Sequence, residues 1–164
     1  MDTKNVRVWM DGSFDLLHCG HANAIRQARE FGNELTVGLQ PDTDIVVHKG
    51  PPVFTESERH RLLAAIKWVN QVVDHAPYGT SEFILDQHGC DFCVHGDDDT
   101  ILMNPEDGLW RLFRINRLRF CERGIGISTT NIIQRILSRS RCPTPDLEAA
   151  PDQSIPLQVM TVSC

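Results

Sequence analysis

The stretch Asp11-Gly12-Ser13-Phe14-Asp15-Leu16-Leu17-His18-Cys19-Gly20-His21 decides how the rest of this chain is read. It follows a short apolar run, Val6-Arg7-Val8-Trp9-Met10, with the composition of a buried strand. It opens an amphipathic run, Ala22 to Phe31, that sets Ala24, Ile25, Ala28 and Phe31 on one helical face. A strand, a tight glycine-containing turn and a helix start make a natural anion site, because the first helical N–H groups have no partner within the helix. His18 and His21 lie three apart and project to the same side of that helix mouth. Gly20 between them has no side chain to keep a phosphate from the backbone. The pattern points to phosphate handling. The same residues also fit half a metal site completed by Asp15 and Cys19, although zinc takes three or four ligands. A plain helix start with two exposed histidines is the third reading.

The 164 residues, 41% of them hydrophobic and 23% charged, suit one globular domain with a real core. A net charge of -6 argues against nonspecific nucleic-acid binding. The six cysteines show no disulfide-scaffold spacing. No apolar run approaches the length of a membrane span, and the polar start Met1-Asp2-Thr3-Lys4-Asn5 is no signal peptide. The expectation is a cytoplasmic protein with no integral membrane segment.

Outward from the opening turn, Gly32-Asn33 ends the first helix and Glu34 to Leu39 reads as a second strand. Pro41-Asp42 starts a loop with a short helix, and Lys49-Gly50-Pro51-Pro52 fixes the loop carrying Lys49. Thr55 and Glu58 form a capping box for a helix of about a dozen residues with Leu62, Leu63 and Ile66 inward. Val69 to Val73 is a third strand, Thr80 to Gln87 a helix closed by His88-Gly89, and Asp91 to His95 a fourth strand. Alternating strands and helices predict an α/β fold, a parallel sheet with helices on both faces. Ligands of such sheets bind beyond the carboxyl ends of the strands. Three places converge there: the histidine turn, Ala76-Pro77-Tyr78 and Gly96-Asp97-Asp98-Asp99.

The segment 104–122 mixes apolar residues with Arg111, Arg114, Arg117 and Arg119 and reads as a helix with a solvated arginine edge rather than a nucleic-acid patch. Asn131 to Arg139 is an amphipathic helix with Ile132, Ile133, Ile136 and Leu137 on one face. The hydroxyls of Ser128, Thr129 and Thr130 precede it, giving a second helix mouth for phosphate oxygens, with Arg123 upstream as a bidentate partner. Residues 141–164 lack periodicity and read as a flexible tail, leaving one domain over 1–140. Taken singly, Lys49 reads as a surface lysine, Tyr78 as an edge aromatic and Asp97 as a loop cap or metal ligand. Cys90-x-x-Cys93 reads as core, since no second pair exists.

Together these residues resemble the cytidylyltransferases. Asp11 to His21 is similar to their HxGH motif, and Arg123-Gly124-Ile125-Gly126-Ile127-Ser128-Thr129-Thr130 to their second motif, R-T-x-G-I-S-T-T. His48 to Arg59, Ile66 to Val73, Ala76-Pro77-Tyr78 and Cys90 to Asp98 are close to the ethanolamine-phosphate branch. The likeness runs colinearly from about Val6 to Leu137. It implies a Rossmann-like nucleotidyltransferase fold and transfer of CMP from CTP to phosphoethanolamine, by direct in-line attack without a covalent enzyme intermediate. It also implies roles. His18 and His21 hold the α-phosphate, and Lys49 bridges the two phosphorylated substrates. Arg123, Ser128 and Thr129 grip the triphosphate, while Gly12, Ser13, Phe14 and Asp97 complete the nucleotide site. Asp15, Lys49 and Tyr78 face the amino-alcohol phosphate. Mg²⁺ accompanies CTP, and a second copy of the chain is a candidate partner.

Several positions depart from the family pattern. Gly124 stands where the second motif has threonine, Val47 where a lysine is usual and Asn70 where an acidic residue is usual. Asp107-Gly108-Leu109 stands for D-T-Y, and Ile115-Asn116-Arg117-Leu118 for A-G-R-Y. Losing an aromatic at 109 penalises a quaternary ammonium more than a primary one, which can use carboxylates and Tyr78. The ethanolamine branch carries two tandem domains and this sequence shows one. No long amphipathic helix of the choline type follows it, which again favours ethanolamine. The alternatives are an impaired nucleotide-binding paralogue or truncated isoform that regulates or dimerises with a full-length enzyme, and a sister enzyme using phosphocholine or glycerol-3-phosphate.

Overall fold

A computed structural model describes residues 5–97, 108–124 and 126–140. The elements, in chain order, are β1 (Arg7–Gly12), α1 (Cys19–Glu30), β2 (Glu34–Leu39), α2 (Asp42–Lys49), α3 (Glu56–Ala64), β3 (Gln71–Val73), α4 (Glu82–Gln87), β4 (Phe92–Gly96), α5 (Gly108–Arg114), β5 (Leu118–Cys121) and α6 (Thr129–Ser140). All the strand pairs are parallel, in the order β3-β2-β1-β4-β5. The order reverses at β1, which pairs with β2 on one side and β4 on the other. A crevice therefore opens beyond the carboxyl ends of β1 and β4. This is the parallel α/β sheet that the alternation of elements predicts and the Rossmann-like arrangement that the family resemblance implies.

Strand alternation splits the apolar residues between two cores. Val8 and Met10 of β1 join Leu35, Val37, Leu39 and Val94 under Ile25 and Ala28 of α1 and Leu63 of α3. Trp9 turns to the other face, with Cys93 and Leu118, under Leu85 of α4 and Leu109 and Leu112 of α5. Cys90 and Cys93 are buried free thiols of that second core, and burial holds the Cys93 thiol well above its ordinary range. Trp9 lies so close over β2 that a Cβ on Gly38 would stand 2.4 Å from the indole. The glycine there is a packing requirement.

Several local expectations shift. α1 begins at Cys19 rather than Ala22, because His18 itself caps it. Phe31 leaves the predicted inward face and packs edge-on against Phe92, 6.3 Å between centroids. The capping box of α3 is present, Thr55 and Glu58 satisfying each other's backbone N–H, but the helix is nine residues long and leaves Leu62 exposed. Within 104–122 the described part holds both the short helix α5 and a strand, β5. The pair Leu118 and Phe120 there has a period of two that the arginines between them obscured. α6 buries no residue fully, and Ile136 and Leu137 are exposed. The tail call, 141–164, lies outside the described residues. No described helix is long and apolar enough to cross a membrane.

Candidate active site

The turn after β1 is held in a conformation that side chains seldom adopt. Phe14 and Leu16 have φ of 49° and 45°, which costs free energy unless neighbours fix it. Asp15 is the fixture. Its carboxylate accepts from the backbone N–H of Leu16, Val53 and Phe54, each at 2.9 Å, and so ties the turn to the loop after Lys49. Arg59, wholly buried on α3, braces the other side by donating to the carbonyls of Ser13 (2.6 Å) and Gln40 (3.0 Å) and to Asp42 (2.6 Å). The carboxylate expected to face substrate is thus committed to the backbone.

At the mouth of α1, Nδ1 of His18 accepts from the backbone N–H of Gly20 and His21, at 3.1 and 3.4 Å. That assigns the remaining proton to Nε2, which is left as a hydrogen-bond donor. The rings of His18 and His21 stack, 3.9 Å between centroids, and Phe14 meets His21 edge-on at 5.6 Å. A Cβ on Gly20 would stand 2.9 Å from the His18 ring and 3.2 Å from Ile127. The glycine therefore makes room for the imidazole fold as well as for a ligand. Burial pushes the His18 imidazole down. His21 falls further, to about 4, through burial first, then His18 and Lys49, with Asp15 opposing. Both rings are neutral around pH ~7, a consequence of withdrawing two stacked imidazoles from water.

The second helix mouth lies against the first. Thr129 donates its hydroxyl to the carbonyl of Asp15 at 3.0 Å, tethering α6 to the β1 turn. Ser128 caps α6, its Oγ accepting from the N–H of Asn131 at 3.1 Å while donating to the Asn131 side chain. Both hydroxyl protons and the Asn131 N–H are spent within the protein, so the N–H groups of Thr129 and Thr130 are the first-turn donors this mouth offers an anion. Arg123 lies along Gly96, and its N–H donates to Asp97 at 2.9 Å.

A cleft of about 650 Å³ gathers His18, Gly20, His21, Lys49, Arg123, Ser128 and Thr129, with Gly12, Ser13, Phe14 and Asp15 along the β1 turn. Asp97 and Tyr78 are not part of its lining. Asp97 positions Arg123 through the backbone. Tyr78 instead stacks on His48 at 3.7 Å, with the Lys49 ammonium 5.6 Å from its ring. Lys49 reaches the cleft to 3.4 Å from Ser13 Oγ. Burial depresses its pKa, Asp11 opposing and Arg123 adding to the fall. Among the described residues no group of three or more His, Cys, Asp or Glu could hold a metal ion.

Sequence reasoning passed over Asp11. It ends β1 on the cleft wall, where Thr80 donates to one carboxylate oxygen at 2.5 Å and Gln40 to the other at 3.5 Å. Burial pushes its pKa up, against those hydrogen bonds and the charge of His95. The available signal was its place at the strand end, one residue before the glycine of the turn.

The family model described as cytidylyltransferase-like matches residues 9–135. The chain is 48% identical over 136 residues to the ethanolamine-phosphate cytidylyltransferase of Mus musculus, covering 83% of this chain and 34% of that protein. To the protein of the same name in Dictyostelium discoideum it is 46% identical over 134 residues, 82% of this chain and 37% of that one. It spans about a third of the length of these curated relatives. The lipopolysaccharide core biosynthesis protein of Thermoplasma volcanium shares the fold, with a TM-score of 0.57 at 20% identity over 73% of this chain and 97% of that one.

Proposed function

The chain belongs to the cytidylyltransferase-like family, and from that premise we propose that it transfers CMP from CTP to phosphoethanolamine, releasing pyrophosphate. One observation carries the reading: two helix mouths, one bearing stacked imidazoles and the other Arg123, open onto one cleft beyond β1 and β4. Relatives at 46 to 48% identity are named for ethanolamine phosphate.

A phosphate oxygen of the acceptor attacks the α-phosphorus; the bond from that phosphorus to the β-phosphate oxygen breaks, and its electron pair leaves with pyrophosphate. No enzyme group bonds to the nucleotide. The protein supplies alignment and preorganised donors for charge that builds in the transition state. His18 and His21 donate to the α-phosphate, and the triphosphate charge raises both imidazole pKa values from their depressed state. Lys49 lies between the attacking phosphate and the triphosphate and offsets their repulsion. Arg123 and the first turn of α6 hold the leaving end.

Asp15 is spent on the loop, so Asp11, close enough to Lys49 to raise its pKa, is the carboxylate for the acceptor's ammonium. Magnesium would enter as part of the substrate, MgCTP, and would supply positive charge against the triphosphate. That fits a donor set in which Asp15 is tied to backbone N–H groups and Asp97 accepts from Arg123.

Incubation with MgCTP and a panel of phosphoethanolamine, phosphocholine and glycerol-3-phosphate, read as pyrophosphate release, tests the proposal. Phosphoethanolamine is expected to have the highest kcat/KM. CTP binding by calorimetry without turnover of any acceptor would replace the reaction with a nucleotide-binding role.

A further inference from the structure

Behind the cleft runs a one-way chain of hydrogen bonds that ends on Asp11. The indole N–H of Trp9 donates to Thr80 Oγ1 at 2.9 Å, and the Thr80 hydroxyl donates to Asp11 at 2.5 Å. An indole can only donate, so Trp9 occupies an acceptor lone pair of the hydroxyl and aims its single proton at the carboxylate. The anchor is rigid. Trp9 is clamped over Gly38 and stacks on His88, 5.0 Å between centroids. Thr80 is itself buried, and α5 begins hard against it, since a Cβ on Gly108 would stand 2.5 Å from the Thr80 carbonyl oxygen.

We propose that Trp9 and Thr80 are positioning residues that keep the half-buried Asp11 carboxylate ionised and aimed at the acceptor's ammonium, and so set the preference for an amine-bearing acceptor. This rests on the role given to Asp11 in the proposed reaction. Asp11 is half-withdrawn from water at the end of a central strand, and that desolvation favours its neutral form, which attracts a cation poorly. The groups facing it are Lys49 from α2, His95 and Cys93 from β4, Gln40 at the end of β2, Thr80 before α4 and Trp9 on its own strand. Lys49 also serves the phosphates, and Gln40 stands at 3.5 Å. The short hydrogen bond from Thr80 is the dedicated support of the charged form, and Trp9 fixes its direction.

The test uses the full chain, as wild type, Thr80→Val, Thr80→Ser and Trp9→Phe. Carboxyl ¹³C titration, with the Asp11 signal assigned by its loss in Asp11→Asn, is expected to move up by about one pH unit in Thr80→Val, the scale of one lost charge-assisted hydrogen bond. Thr80→Ser should restore it and Trp9→Phe should move it part of the way. In turnover, Thr80→Val should raise KM for phosphoethanolamine about tenfold at neutral pH. It should also shift the acid limb of kcat/KM upward and leave KM for CTP within about twofold. An unmoved Asp11 titration in Thr80→Val, or both KM values rising together, overturns the proposal. A wild type that turns over no phosphoethanolamine sinks the proposed reaction and the acceptor preference with it, while the carboxyl titration still decides whether the relay holds the charge.

Discussion

Acidification should destabilise the ligand-free protein through His21, and the size of the effect follows from its surroundings. The imidazole is pushed from its ordinary 6.5 to about 4, burial leading and the stacked His18 and nearby Lys49 adding to it. In the unfolded chain the same ring titrates normally. Between those two values the unfolded state binds more protons than the folded one, so stability is full above the unfolded value and lost as pH falls through the window. A gap of this size is worth about 3 kcal/mol in all, and about 2 kcal/mol between about pH 7 and about pH 5. Urea unfolding of wild type and His21→Gln across that range isolates the contribution, because the other titrating groups are shared. The wild type should lose about 2 kcal/mol more than the variant. A saturating triphosphate should reverse the sign, since its negative charge favours the imidazolium, and calorimetry in buffers of different ionisation enthalpy should show proton uptake on binding. Parallel pH profiles for the two proteins would refute the assignment of a half-buried, neutral His21.

Lys49→Ala should lower kcat/KM about a hundredfold or more with little effect on unfolding, because its ammonium reaches Ser13 and the cleft rather than the core; steady-state kinetics beside a urea curve separates the two. Arg59→Met removes three hydrogen bonds that brace Ser13, Gln40 and Asp42. It should cost about 3 kcal/mol in urea unfolding, and a loss below about 1 kcal/mol would show that the loop does not need it. Gly124→Thr restores the hydroxyl usual in the second motif, and a Cβ there meets only Gly20 Cα, at 3.4 Å. KM for CTP should fall about fivefold, the worth of one hydrogen bond of about 1 kcal/mol, and a rise would mean the second helix mouth has no room.

The order of elements was legible because each signal is local. Glycine-rich turns punctuate the chain, the Thr55–Glu58 box announces α3, and β1 and β2 are apolar runs of strand length. The paired histidines and the hydroxyl-capped helix could be found the same way, as motifs complete within a dozen residues. β5 could not. Arginines alternating with its apolar residues gave it the look of a helix edge, and only pairing with β4 makes Leu118 to Cys121 a strand.

Which acidic side chain the backbone claims was decided by contacts between segments far apart in the chain. The family resemblance points to Asp15 for the acceptor. Folding brings Val53 and Phe54 against it and consumes its carboxylate, while Thr80, sixty-nine residues on, closes on Asp11. In the same way Thr129, offered by the sequence as a phosphate ligand, donates its proton to the carbonyl of Asp15 and becomes the tie between the two helix mouths. Local pattern fixes where donors and charges occur along a chain. Whether each is free for a ligand depends on what long-range packing leaves unsatisfied, because a buried polar group takes whatever partner the fold presents.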